Sequence, residues 1–291
     1  MENRKHFSEF TTSPTLRCPC NNSFRERIIE YTSPPNGEIL KVKGSDEYWR
    51  AYDECSLCKH FFEVHDFDMK AYYEGEYVKS TYGGIERLHQ TFQRVINLPA
   101  AQSDNAQRVK RINKKVTRYF KIDELALSEL TLLDVGSGTG VFPYAMKAWG
   151  WKSTALDPDP IACEHIQKML NINVICTDYL KVDSAYLGQY DLITFNKVLE
   201  HVDDPIEFLM KSRQVLRPNG IIYIEVPDVG ALNDYEREHR EEFHLGHLHV
   251  FSPGSLYKII ETSGLNLLEI MRLKDPSGKY TLAAFCRSNK N

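Results

Sequence analysis

From Leu130 onward, short apolar runs alternate with amphipathic stretches. Residues 132–135, 153–156, 174–176, 191–195 and 221–226 have the length and apolar content of buried strands. Residues 141–149, 160–170, 205–216 and 254–263 read as the helices that intervene. Strands alternating with helices predict an α/β fold with a parallel, doubly wound sheet. Two last runs, 267–273 and 279–286, flank the turn Asp275-Pro276-Ser277-Gly278 and predict an antiparallel pair at one end. Upstream, Leu88, Phe92, Val95 and Ile96 recur at helical spacing in a region from about Ile85 to Phe120, broken near Leu98-Pro99. Before it the apolar periodicity fades, polar and aromatic residues dominate, and Pro34-Pro35-Asn36-Gly37 marks a turn. The pattern divides the chain into a small loop-rich module at 1–80, a helical linker region at 81–124 and an α/β domain at 125–291.

Composition adds constraints. With 291 residues, 42% of them hydrophobic, the α/β domain buries a core without disulfides. Seven cysteines, an odd count, point to thiols or metal ligands. A net charge of -4 argues against a dedicated nucleic-acid binder. The basic stretch Arg108, Lys110, Arg111, Lys114, Lys115 and Arg118 reads as a solvated helix face. Residues 1–10 carry no apolar secretory core, and no apolar run reaches the roughly 20 residues of a membrane span, so the expectation is a cytoplasmic protein with no membrane partner.

The candidate chemistry begins where the first α/β strand ends. Asp134-Val135-Gly136-Ser137-Gly138-Thr139-Gly140 is a strand running into a glycine loop and then a helix. Glycines there permit a tight turn and let a ligand approach the backbone. Their alternate spacing is not that of a dinucleotide fingerprint, and no Gly-Lys-Ser/Thr follows as in a P-loop. The next two strands end at Asp157 and just before Asp178. A carboxylate about 20 residues beyond the glycines is placed to accept ribose hydroxyls, and Asp178 to accept from an exocyclic amine with Tyr179 over a base.

These motifs resemble those of class I S-adenosylmethionine-dependent methyltransferases. Leu132-Leu133-Asp134-Val135-Gly136-Ser137-Gly138-Thr139-Gly140 is similar to their first motif, and Asp157 and Asp178 to their ribose and adenine acids. Asn196-Lys197-Val198-Leu199-Glu200-His201-Val202 resembles their fourth-strand segment, and Leu216-Arg217-Pro218-Asn219-Gly220 their turn before strand five. The resemblance implies a mostly parallel seven-stranded sheet of order 3-2-1-4-5-7-6. It implies S-adenosylmethionine as cofactor, contacted by Asp134, Gly136, Ser137, Gly138, Gly140, Asp157, Pro158, Asp178, Tyr179, Asn196 and Lys197.

Cys18-Pro19-Cys20 and Cys55-Ser56-Leu57-Cys58 offer four thiolates to one structural zinc, although Cys-x-Cys restricts how both sulfurs reach one ion. Together with Tyr72-Tyr73-Glu74-Gly75-Glu76-Tyr77, they resemble the N-terminal zinc-binding region of a group of sugar C-methyltransferases. Methyl transfer needs alignment and, for a hydroxyl or carbon acid, a base. His201 and the trio His244, His247 and His249 in the long polar segment 227–253 are the candidates. Some O-methyltransferases hold a divalent ion with Glu-x-x-Glu-His at this position; here Lys197 replaces the first carboxylate and repels a cation. The expected activity is methyl transfer to a small molecule, read as a nucleotide-linked sugar or a natural-product intermediate. The competing readings are an RNA methyltransferase, with the basic stretch tracking phosphates, and a non-catalytic cofactor-binding module.

Overall fold

A computed structural model describes residues 18–21, 23–35, 48–65, 84–233 and 240–288. The tyrosine-rich stretch 72–77 lies outside them. The described chain runs β1 (Arg25–Tyr31), β2 (Arg50–Cys55), β3 (Phe61–His65), α1 (Ile85–Ile96), α2 (Asp104–Phe120), β4 (Thr131–Val135), α3 (Val141–Ala148) and β5 (Lys152–Asp157). It continues through α4 (Pro160–Leu170), β6 (Asn173–Cys176), α5 (Ser184–Leu187), β7 (Tyr190–Asn196), α6 (Pro205–Val215) and β8 (Leu216–Pro227). It closes with β9 (His249–Val250), α7 (Pro253–Thr262), β10 (Leu265–Lys274) and β11 (Tyr280–Ser288).

The seven-stranded sheet has the order β10-β11-β8-β7-β4-β5-β6, as the resemblance implied. Strands β6, β5, β4, β7 and β8 are parallel, and β11 is antiparallel to both β8 and β10. The parallel strands are apolar on both faces because helices cover both. Three helices open alike: Pro160, Pro205 and Pro253 sit in the first turn behind caps from Asp159, Asp204 and Ser252. The helical region breaks where proline predicts, and α2 restarts on the Ser103 hydroxyl, which accepts from the Ala106 N–H at 3.1 Å.

Two features depart from the sequence expectation. First, the helices at 85–120 are part of the sheet's packing rather than a linker. Val109, Ile112 and Val116 are buried against Leu132, Trp151 and Tyr223, and the Trp151 indole donates to Asn113 Oδ1 at 2.8 Å. Glu225, fully buried on β8, accepts from Arg108 Nε at 2.9 Å, Arg111 at 3.1 Å and the Tyr223 hydroxyl at 2.6 Å. Second, the described residues of the cysteine-bearing segment include three strands. β1, β2 and β3 form an antiparallel meander, and β9, from the long segment after β8, adds to it as a fourth strand. Among the described residues, no helix is long and apolar enough to cross a membrane.

Burial alone would raise the Glu225 carboxyl, but Arg108, with Lys197 and Arg111, more than offsets this and holds it well below its ordinary 4.5. Its stabilisation is therefore complete above that value and is lost as pH falls through the lower folded-state value. Glu225→Gln should cost about 3–5 kcal/mol in urea unfolding, because two guanidinium groups lose a buried counter-charge. It should also flatten the decline in stability on acidification. A loss under about 1 kcal/mol would show that the pair is not what fastens α2.

Candidate active site

Chain order reverses direction between β4 and β7, and in such sheets ligands bind outside the carboxyl ends of the strands at that switch point. A cavity of about 240 Å³ lies there. Gly136 follows β4 with φ 72°. A Cβ on it would lie 2.6 Å from Val198 Cγ2, in the segment after β7, so only glycine fits. Asp157 at the end of β5 accepts from the Gly138 N–H at 2.7 Å and the Asp159 N–H at 2.9 Å. Burial raises its pKa, and these two hydrogen bonds oppose the rise. Pro158, Asp178 and Tyr179 also line the cavity, with Leu156, Val202 and Phe208 as apolar walls. The cavity thus places Asp157 at the end of β5 and Asp178 just after β6 beside the bare backbone of Gly136 and a set of apolar side chains.

Other expected cofactor residues stand beneath this cavity or outside it. Asp134 is buried and accepts from Thr194 Oγ1 at 2.6 Å and Asn196 Nδ2 at 2.8 Å; the Ser137 hydroxyl donates to its carbonyl at 2.8 Å. Asp134, Ser137 and Asn196 thus fasten the glycine loop to β7. Burial lifts the Asp134 carboxyl to about 6. Gly138 presents its N–H to Asp157, and Gly140, φ 75°, lies so close to Ile166 and Leu170 that it sets the approach of α4. Lys197 departs furthest from expectation. Its ammonium donates to Thr281 Oγ1 at 2.7 Å, and it lines a different cavity.

That second cavity, about 160 Å³, is lined by Lys197, Glu200, His201, His244, His247 and Tyr280 among others. His201 lines both cavities. Its Nδ1 lies 2.8 Å from the Gly246 carbonyl, which can only accept, so Nδ1 carries the proton and Nε2 the lone pair. His247 is set the same way by the Glu242 carbonyl at 3.0 Å, and the two rings lie 4.8 Å apart. Burial lowers both imidazole pKa values. Glu200, fully buried beside them, has no hydrogen-bond partner on either carboxylate oxygen, and burial lifts it to about 7. One oxygen of Glu200 and one nitrogen from each of His201 and His247 lie within 4.8 Å of one another.

His249, expected as a candidate base, is excluded by its bonding. Nε2 donates to the Val202 carbonyl at 3.0 Å, and Nδ1 accepts from His60 Nε2 at 2.9 Å. His60 Nδ1 in turn meets Ser255 Oγ at 3.0 Å. With both nitrogens occupied and its pKa lowered by burial to about 4, His249 is a strut.

The strut leads to the cysteines. The Ser252 hydroxyl, which caps α7, donates to the Cys58 carbonyl at 2.5 Å. Cys18 and Cys20 sulfurs are 3.3 Å apart, Cys18 and Cys58 3.4 Å, and Cys20 and Cys55 3.6 Å. Zn–S bonds of about 2.3 Å set tetrahedral sulfurs roughly 3.8 Å apart, so the four form a near-ready cage despite the short Cys-x-Cys spacing. Tyr52 of the same sheet donates to the His247 carbonyl at 2.9 Å, and Glu63 accepts from the Gly246 N–H at 3.1 Å. Tyr52 and Glu63 were not singled out from sequence, and His60, with His65, entered it only as a substitute zinc ligand; their contacts run to the segment 244–249, nearly two hundred residues away. Glu200 entered the sequence reading only through the Glu-x-x-Glu-His comparison and not as a site residue.

Residues 104–270 match the methyltransferase-domain family, and the chain belongs to it. Its class is that of the class I S-adenosylmethionine-dependent methyltransferases. It is 28% identical over 124 residues to a ubiquinone biosynthesis O-methyltransferase of Histophilus somni, a match covering 40% of this chain and 52% of the relative. A relative of the same name from Rickettsia canadensis is 25% identical over 185 residues, covering 58% of this chain and 75% of that protein. The chain thus spans about half the length of the first relative. In fold it is similar to a 1,6-didemethyltoxoflavin N1-methyltransferase of Burkholderia thailandensis, solved with 1,6-didemethyltoxoflavin and S-adenosylhomocysteine. The TM-score is 0.53 and the identity 15%, with 89% of this chain and 100% of that chain covered.

Gly136→Ala should lower the melting temperature and weaken S-adenosylhomocysteine binding in calorimetry, at about 1–2 kcal/mol for the left-handed backbone plus the clash. Adding Val198→Ala should recover the steric part alone. Full recovery would mean that the backbone conformation is not what demands glycine.

Proposed function

We infer that this protein transfers the methyl group of S-adenosylmethionine to a small-molecule acceptor, with His201 as general base. The observation that carries the reading is that His201 forms part of the wall of both cavities. The larger cavity is assigned to the cofactor through Gly136, Asp157, Pro158, Asp178 and Tyr179, and the smaller, histidine-lined one to the acceptor. The cofactor supplies an already activated methyl group on sulfur. Asp157 binds the ribose, Asp178 the adenine amine, and Val198, Val202 and Phe208 exclude water. His201 Nε2, aproton and aimed by Gly246, takes the proton from an acceptor hydroxyl or carbon acid as the acceptor atom attacks in line.

The acceptor is read as a sugar or a natural-product intermediate, because a small, polar, histidine-rich cavity suits a hydroxylated molecule. The four cysteines hold a structural zinc, with no open position for chemistry. Residues 1–80 act as its module and 125–291 as the catalytic domain. The RNA reading is weakened by the basic stretch itself: Arg108 and Arg111 pair with Glu225, and Lys115 with Glu269.

Three outcomes test this. Asp157→Ala should weaken S-adenosylhomocysteine binding by about 1.5–3 kcal/mol for each ribose hydrogen bond lost, and unchanged affinity in calorimetry would remove the assignment. Cys55→Ser with Cys58→Ser should abolish the bound zinc seen by elemental analysis; a wild type without zinc sinks the metal assignment. Because burial lowers the His201 pKa from 6.5, the imidazole stays unprotonated, and the rate stays high, as pH falls through 6.5. In Glu200→Gln, which removes the neighbouring carboxyl that titrates at about 7, an acid limb centred at or above 6.5 in the pH–rate profile would place the base elsewhere.

A further inference from the structure

The acceptor cavity contains an imbalance that the methyl-transfer reading does not use. Glu200 is fully buried, lines the cavity and has both carboxylate oxygens without a hydrogen-bond partner. The two imidazoles grouped with it each donate from Nδ1 to a backbone carbonyl, which leaves Nε2 able only to accept. The Lys197 ammonium, on the same segment, donates to Thr281 and acts on Glu200 only through its charge, without a hydrogen bond to either carboxylate oxygen. With Glu200 ionised, above about pH 7, this wall of the cavity is made of acceptors. A buried carboxylate left unpaired is costly, and a fold keeps one where an occupant brings the missing donor.

We propose that Glu200 is the residue that selects and positions the acceptor, by taking a hydrogen bond from a hydroxyl adjacent to the atom that is methylated. The occupant is then a molecule with two neighbouring hydroxyl groups: one meets the Glu200 carboxylate, and its neighbour faces His201. A fully etherified counterpart of the same shape is excluded, because it leaves the whole wall unsatisfied. The proposal rests on the assignment of the smaller cavity to the acceptor.

The test uses the whole 291-residue chain saturated with S-adenosylhomocysteine. The probes are cis-1,2-cyclohexanediol and its dimethyl ether, followed by saturation-transfer NMR. The diol should bind and the ether should not. Glu200→Gln should weaken the diol about tenfold, the equivalent of one charge-assisted hydrogen bond, and leave S-adenosylhomocysteine affinity unchanged. The same variant should melt no lower than wild type, since an unpaired buried charge has been removed. A structural glutamate gives the opposite pattern: a lower melting temperature with unaltered diol binding, which overturns the proposal. So does a wild type that binds S-adenosylhomocysteine but not the diol; the methyltransferase reading then stands and only the role of Glu200 falls. Stoichiometric Mn2+ binding in electron paramagnetic resonance, lost in Glu200→Gln, would mean that a cation satisfies the carboxylate and overturns it too. Failure of the wild type to bind S-adenosylhomocysteine removes the methyltransferase reading and this proposal with it.

Discussion

The histidine-lined cavity of this protein depends on one short strand pairing. Phe61 and Phe62 of β3 face Val250 and His249 of β9, and this register is the point where the cysteine-bearing sheet meets the histidine segment. Two residues of ladder contribute little alone. The pairing is held by side chains that cannot be satisfied elsewhere: His60 and His249 in series between Ser255 and the Val202 carbonyl, and Tyr52 on the His247 carbonyl. All are buried, so loss of one partner exposes the others to the full cost of an unmet hydrogen bond. Through this chain the position of the His201 and His247 rings is set by a sheet that begins more than a hundred residues earlier.

The glycine-loop cavity is organised differently. Its loop is fastened from below by Asp134 to Thr194 and Asn196, entirely within neighbouring parallel strands. The Glu225 cluster does the corresponding work for α2, drawing two arginines onto β8. One half of the site is thus built from local, sheet-internal contacts and the other from contacts between remote segments.

That difference explains what the sequence made legible. The glycine loop, the acids ending β5 and following β6, and the strand order follow from alternating periodicity and from motifs that are contiguous in the chain. Gly136 was readable because the φ of a tight turn is a local demand. The roles of the histidines were not. His249 and His247 are two residues apart in one run, yet one has both nitrogens occupied and the other has a free lone pair, and the difference lies in Val202, His60 and Glu242. Lys197 resembled a cofactor residue by its place in a motif, but a left-handed backbone at φ 60° turns it toward β11. Within the β1–β3 meander, β3 escaped a periodicity reading because Phe61 to His65 has no exposed position, so no alternation appears there.

The Ser252 hydroxyl opens α7 and at the same time holds the Cys58 carbonyl. A helix terminus and a cysteine turn that share one hydrogen bond fray together or not at all. The N-terminal sheet, the histidine segment and the first turn of α7 therefore form a single cooperative unfolding unit that crosses the boundary drawn by chain order. The N-terminal sheet is thus no detachable accessory: exchanging it alone would strip the histidine segment of the contacts that brace it.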